Sequence, residues 1–259
     1  GKSNLFDAIQ FLSLTSTHRL HDAALAIRSE GSRSESISSI FRMQGETQHR
    51  KIDFRVEMLV PKSALDELNQ KATATFTFLV YELSLGLRDY SGSDAGPIEI
   101  LKEQLSYIPW GKAHESILFG HSSGWRDTLK QESKGGRREY FISTTKREGR
   151  CVIQRHQDGG SSGKPSPALA SQLPRTVLSQ ANASESPTAL CARQEMMSWR
   201  FLFLEASSMR RPDGFNEPSS IDVHGRHIPA TLNRLIKTSP SKAVVLPQVA
   251  NRLMELVGN

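Results

Sequence analysis

Gly1-Lys2-Ser3-Asn4-Leu5-Phe6-Asp7-Ala8-Ile9-Gln10-Phe11-Leu12-Ser13-Leu14 opens the chain and sets its reading. Leu5, Ala8, Ile9 and Leu12 stand at i, i+3, i+4 and i+7, which predicts a helix over residues 4–14. Phe6 and Phe11 widen the apolar stripe, so the helix is expected to be buried on most sides. Directly before it, Gly1-Lys2-Ser3 matches the last three residues of a phosphate-binding loop, G-x-x-x-x-G-K-[ST]. In such a loop glycine lets backbone N–H groups curl around phosphate oxygens, and lysine sets a point charge on the β- and γ-phosphates. The following hydroxyl ligates Mg²⁺, and the helix aims its positive end at the anion. A tripeptide is a short signal, and a lysine and serine that merely cap a helix would look the same.

Outward from this helix, residues 18–28 keep a helical character and residues 29–39 are polar, predicting a loop. The period then changes. Ile52, Phe54, Val56, Met58 and Val60 alternate with Lys51, Asp53, Arg55 and Glu57, which predicts a strand with one wet face, ended by Pro61. Residues 72–87 are rich in β-branched and aromatic side chains and read as a second, longer strand, antiparallel to the first. Ile98 to Tyr107 reads as a short helix. Residues 138–145 and 150–156 read as a hairpin around Lys146-Arg147-Glu148-Gly149. Gly159 to Pro167 has the composition of a flexible linker. Pro187 to Trp199 predicts a helix entered through Ser184 or Ser186, and Phe201 to Leu204 a short buried strand. Arg226 to Leu235 and Val249 to Leu256 predict two more helices, with Pro229 in the first turn of the former. The expected division is residues 1–158, a linker at 159–167, and residues 168–259.

The longer run Gly1 to Leu12 resembles the phosphate-binding loop and first helix of the RecF/SMC-like branch of ABC-type ATPases, the branch loosely grouped with OLD-type ATPases. That branch typically reads G-K-S-N-[LI]-[LF]-[DE]-A-[ILF]. Two later stretches are similar to the same group. One is Thr176-Val177-Leu178-Ser179, followed by a helix ending at Ser198 to Glu205 and then by Met209-Arg210-Arg211-Pro212. The other is Asp222 to Leu235, similar to the family's G-x-x-L-A-x-x-L-x-x-L helix with Ile228 and Pro229 in place of Leu and Ala. Residues 30–170 match only in being strand-rich.

The resemblance implies a mixed α/β fold: part of an ABC-type P-loop head with an antiparallel β lobe and helices. It implies ATP and Mg²⁺ as cofactors. Lys2 would hold the β- and γ-phosphates, Ser3 the Mg²⁺, Gly1 the close backbone approach, and Asn4 would lie beside the phosphates. Two heads would close on ATP and reopen on hydrolysis, so self-association is expected, in DNA maintenance or phage defence. The family's signature motif, Walker B Asp-Glu and switch histidine are not found in these residues. Phe201 to Glu205 mimics a Walker B strand but lacks an Asp before Glu205. The chain therefore reads as a fragment starting inside the motif, with turnover belonging to its parent protein and no catalytic residue assigned. Neither Gln44 nor Gln48 is a compelling Q-loop glutamine. The alternative is a non-catalytic DNA-binding or protein-interaction domain with a chance P-loop-like edge.

Composition bounds these readings. The 259 residues carry 33 Lys+Arg against 27 Asp+Glu, a net charge of +6. That balance permits DNA as a partner without requiring it. No apolar run reaches the roughly 18–20 residues of a membrane span. Two cysteines, Cys151 and Cys191, exclude a disulfide scaffold and a four-thiolate zinc site, so a cytoplasmic setting is expected. Lys134, Arg137, Arg138, Lys146, Arg147 and Arg150 gather around the predicted hairpin, without the aromatics that stack on bases, and read as a solvated face. Gly159 to Lys164 lacks the first glycine and the final hydroxyl of a second phosphate loop. His18 with His21, and His224 with His227, are i, i+3 pairs that no Cys or carboxylate cluster joins, and read as surface histidines. Asn182-Ala183-Ser184 has the form of a glycosylation sequon in a chain with nothing to suggest secretion.

Overall fold

The computed structural model describes residues 2–28, 37–41, 43–44, 47–88, 97–131, 139–158, 166–214, 217–239 and 242–257. In chain order its helices are α1 (Lys2–Thr15), α2 (Leu20–Arg28), α3 (Ala113–Ser116), α4 (Ser123–Leu129), α5 (Pro187–Ser198), α6 (Ala206–Met209), α7 (Ile228–Thr238) and α8 (Lys242–Val257). Its strands are β1 (Met43–Gln44), β2 (Thr47–Gln48), β3 (Lys51–Leu59), β4 (Ser63–Leu65), β5 (Lys71–Thr73), β6 (Phe78–Leu87), β7 (Ile98–Tyr107), β8 (Tyr140–Arg147), β9 (Arg150–Arg155) and β10 (Ser166–Leu169). The chain divides into two compact units, Gly1–Trp199 and Arg200–Asn259.

An antiparallel sheet in the order β10-β9-β8-β7-β6-β3 builds the first unit. The alternation in residues 51–60 is realised as β3, which pairs with β6 from Lys51 opposite Gly86 to Leu59 opposite Phe78. One face of this pair is charged. Arg55 binds both Glu57 and Glu82, and Lys102 on β7 reaches the same Glu82. The opposite face is the core, where Tyr81, Leu83, Leu85, Ile100, Leu105 and Ile142 are buried with Phe11 and Leu12 of α1 and Ala189 to Ala192 of α5. The Phe11 and Phe54 rings lie 5.5 Å apart, joining the first helix to the edge strand.

Several expectations are corrected. The run 72–87 is not one strand: β5 closes a small hairpin with β4, and the long strand begins at Phe78. The turn between them is held by Asp66, whose Oδ1 accepts from the N–H groups of Leu68 and Gln70. Ile98 to Tyr107 is a strand, not a helix. Ile98, Leu101 and Leu105 fall at i, i+3 and i+7, but the register against β6 shifts between Ser84 and Leu85. That irregularity resets which residues face inward, so Ile98 and Ile100 before it and Glu103 and Leu105 after it are all buried. Pairing on both sides then overrides the helical preference of Glu, Leu, Lys and Gln.

Burial of α1 is confined to its second half. Phe11, Leu12, Thr15 and Ser16 are buried, whereas Leu5 is 61% exposed and Phe6 and Ile9 are exposed too. The predicted 29–39 loop lies outside the described residues except for Ile37 onward, where Ile37–Ile40 form one 3₁₀ turn. Within the expected linker, Gly159 to Pro165 also lie outside them, while Ser166–Leu169 form β10 on β9. The hairpin of β8 and β9 is as expected, with Glu148 and Gly149 at φ 50° and 76° in its turn. Only there and at Gly225 (φ 84°) does a described glycine take a positive φ.

In the second unit, Phe201 to Leu204 do not form a buried strand: all four are exposed, Phe203 by 66%. Phe203 and Glu205 donate their N–H groups to Val223 and His224, which ties the segment down without covering its side chains. Pro229 lies in the first turn of α7, as its fixed φ requires. The last helix starts earlier than expected, at Lys242, and carries Pro247 inside it.

Candidate functional site

Lys2 and Ser3 open α1, a helix of 14 residues. Its first turn contains no acidic residue, so nothing opposes the positive end of the helix dipole. Asn4 in that turn is exposed. The other end of the helix is anchored. The Thr15 carbonyl accepts from Thr176 Oγ1 at 2.9 Å, and the Ser16 carbonyl accepts from Arg193 Nε at 3.0 Å. Gly1 lies outside the described residues.

Other sequence candidates resolve as follows. Gln44 and Gln48 lie in the two-residue strands β1 and β2. Lys146, Arg147 and Arg150 are all exposed at the tip of the β8–β9 hairpin, while Lys134, Arg137 and Arg138 lie outside the described residues. Cys191 is buried in α5, with burial pushing its thiol up to about 11, and Cys151 is half-buried; both are free thiols. The raised value of Cys191 is the opposite of a reactive cysteine's. Asn182 Oδ1 accepts from the Glu185 N–H and the Ser184 hydroxyl, so the sequon residues form a local turn.

Two arrangements were not legible in the sequence. The first is Glu103, which lies opposite Leu83 on the core face of the sheet. Its Oε2 accepts from the Val177 N–H at 2.7 Å, and its Oε1 from the Leu178 N–H at 2.8 Å and the Tyr81 hydroxyl at 3.2 Å. Burial pushes its carboxyl up to about 7, against the pull of those donors. The Thr176 to Ser179 run, one of those read as family-like, is thereby fixed to the sheet.

The second corrects the reading of His227 as a surface histidine. It is 7% exposed. Its Nδ1 lies 3.0 Å from Asp213 Oδ1 and 2.9 Å from Glu217 Oε2. The partners sit 14 and 10 positions away in sequence, so residue spacing gave no cue; the ligands arrive through the fold. His18, His21 and His224 are exposed, as expected.

No protein-family model matches the chain, and no curated protein or solved structure matches it. Among the described residues, no helix is long and apolar enough to cross a membrane.

Proposed function

We propose that this chain is the ATP-binding portion of a RecF/SMC-like ATPase, part of an ABC-type head whose parent protein hydrolyses ATP in the cytoplasm. The observation that carries the reading is that Lys2, Ser3 and an exposed Asn4 open a helix whose far end is locked into the core of an antiparallel sheet. Lys2 binds the β- and γ-phosphates, Ser3 ligates Mg²⁺, Gly1 allows close approach of the backbone, and Asn4 lines the phosphate end. The same class of head dimerises on ATP and serves DNA maintenance or phage defence. That setting is an analogy of family.

A second reading has its own observation. The exposed cations Lys146, Arg147 and Arg150 cap a rigid hairpin and would suit a DNA backbone without any nucleotide chemistry. Steady-state ATPase assays of the parent protein, with and without DNA, separate the two. The ATPase reading expects Mg²⁺-dependent turnover that Lys2→Ala lowers by roughly 100-fold or more, the size of effect lost with a transition-state phosphate contact. Equal rates in both proteins, or DNA binding with no turnover, favour the second reading.

A further inference from the structure

We propose that Asp213, Glu217 and His227 form a binding site for a divalent transition-metal ion, Zn²⁺ by preference. The three side chains offer one imidazole nitrogen and two carboxylate oxygens that all lie within 4.8 Å of one another. An ion with bonds of about 2.1 Å spaces neighbouring donor atoms about 3.0–3.4 Å apart. His227 Nδ1 stands 3.0 Å from the Asp213 oxygen, at the short end of that spacing, and 2.9 Å from the Glu217 oxygen, just below it.

The arrangement is poorly served without an ion. A neutral imidazole has one hydrogen to offer at Nδ1, and two carboxylate oxygens compete for it. Arg226 Nη2 stands 3.6 Å from Glu217 Oε2, beyond hydrogen-bond reach. A cation bound between the three donors engages both carboxylates and the imidazole lone pair together.

The ligands are also held in place. Asp213 Oδ2 accepts the Ala230 N–H at the start of α7, which fixes the carboxylate plane. His227 caps that helix in a left-handed conformation at φ 68°, and the loop before it is tied by Asp222 Oδ1, which accepts from His224 N–H and Arg226 N–H. Such outer bonds orient metal ligands in known sites. Both carboxylates line a cavity of about 750 Å³ that also touches Asn233, Arg234 and Lys237. The site is thus open on one side, leaving room for water or an anion to complete the coordination. Imidazole in the set favours Zn²⁺ over Mg²⁺, which prefers oxygen donors alone.

Calorimetric titration of the full-length, tag-free chain with ZnCl₂ and separately with MgCl₂, without nucleotide, tests this. The Mg²⁺ proposed at Ser3 needs ATP, so failure here leaves the ATPase reading standing. The expected result is about one Zn²⁺ per chain in the micromolar range or tighter, with Glu217→Gln and Asp213→Asn each weakening binding roughly tenfold or more. His227→Asn, which tolerates the positive φ, is expected to lose stoichiometric binding. Melting curves of the metal-free proteins monitor folding. Should the His227 or Asp213 variant unfold, Glu217→Gln decides, because its partly exposed side chain makes, among the described residues, the long pair to Arg226 and the contact to His227. Zn²⁺ is also expected to raise the melting temperature of the wild type and not of the variants. No stoichiometric uptake, equal uptake by Glu217→Gln, or equal affinity for Mg²⁺ overturns the proposal.

Discussion

Glu103 is a carboxylate that the core holds with three donors, two of them main-chain N–H groups. Its pKa of about 7, against the ordinary 4.5, has a consequence for stability. Between those values the unfolded chain releases its proton while the folded chain keeps it. Stability from this group is therefore full below pH 4.5 and falls as pH rises towards about 7. Glu82, Asp53 and Glu57 act in the opposite sense. Hydrogen bonds from Lys102, Ser84 and Ser116, the largest cause for each in turn, hold these carboxyls low, so their contribution is present above their ordinary values and lost in acid. Asp158, raised by burial, shares the sign of Glu103 and starts near 3.8. Glu103→Gln isolates the central group. Urea midpoints across pH 4.5–7.5 are expected to fall for the wild type and to lose most of that slope in the variant. At pH 4.5 the variant is expected to be less stable by roughly 1–3 kcal/mol, because the amide NH₂ faces a buried N–H donor, and the gap is expected to narrow as the wild type loses stability towards pH 7. A wild-type slope retained in Glu103→Gln would show that another group carries it.

At the scale of elements, Arg193 of α5 ties the end of α1 to the rest of the unit. Arg193 is nearly buried and donates to the Ser16 carbonyl at 3.0 Å and the Ala181 carbonyl at 3.4 Å, while pairing with Glu67. Glu67 is largely exposed, so the ion pair itself is worth little; the carbonyls it satisfies matter more. Arg193→Ala is expected to cost roughly 2–4 kcal/mol in denaturant unfolding, and Glu67→Ala under about 1 kcal/mol. Comparable losses for both would contradict that ranking. The sequence makes some elements plain and hides others for identifiable reasons. The β3 alternation and the Glu148-Gly149 turn are local signals, and both are realised. The β7 strand was misread because its irregular register broke the alternation and left a helix-like spacing of leucine and isoleucine. Phe201 to Leu204 misled in the other direction: an apolar run implies burial only where something packs on it, and here the side chains are exposed. The start of α1 was legible because its motif is contiguous. The Asp213–Glu217–His227 cluster was not, because loops bring its members together.

For the whole molecule, the division into compact units falls between Trp199 and Arg200, beyond β10 and α5. β10 extends the sheet and α5 closes its core, so residues 166–198 belong with the strands before them. Arg200 is exposed, as are Arg210 and Arg211. Brief trypsin digestion is expected to accumulate a fragment ending at Arg200 or Arg210 that retains cooperative unfolding, as a unit with its own core should. Immediate degradation of residues 1–199 would contradict that independence. The central claim concerns the other end of the chain, and calorimetric binding of ATP with Mg²⁺ to the parent protein tests it most directly. Saturable binding at one site per chain, lost in Lys2→Ala while its melting curve stays that of the wild type, is the predicted result. Binding that survives Lys2→Ala unchanged, or no binding by the folded wild type, contradicts the assignment of Lys2 and Ser3 to a nucleotide.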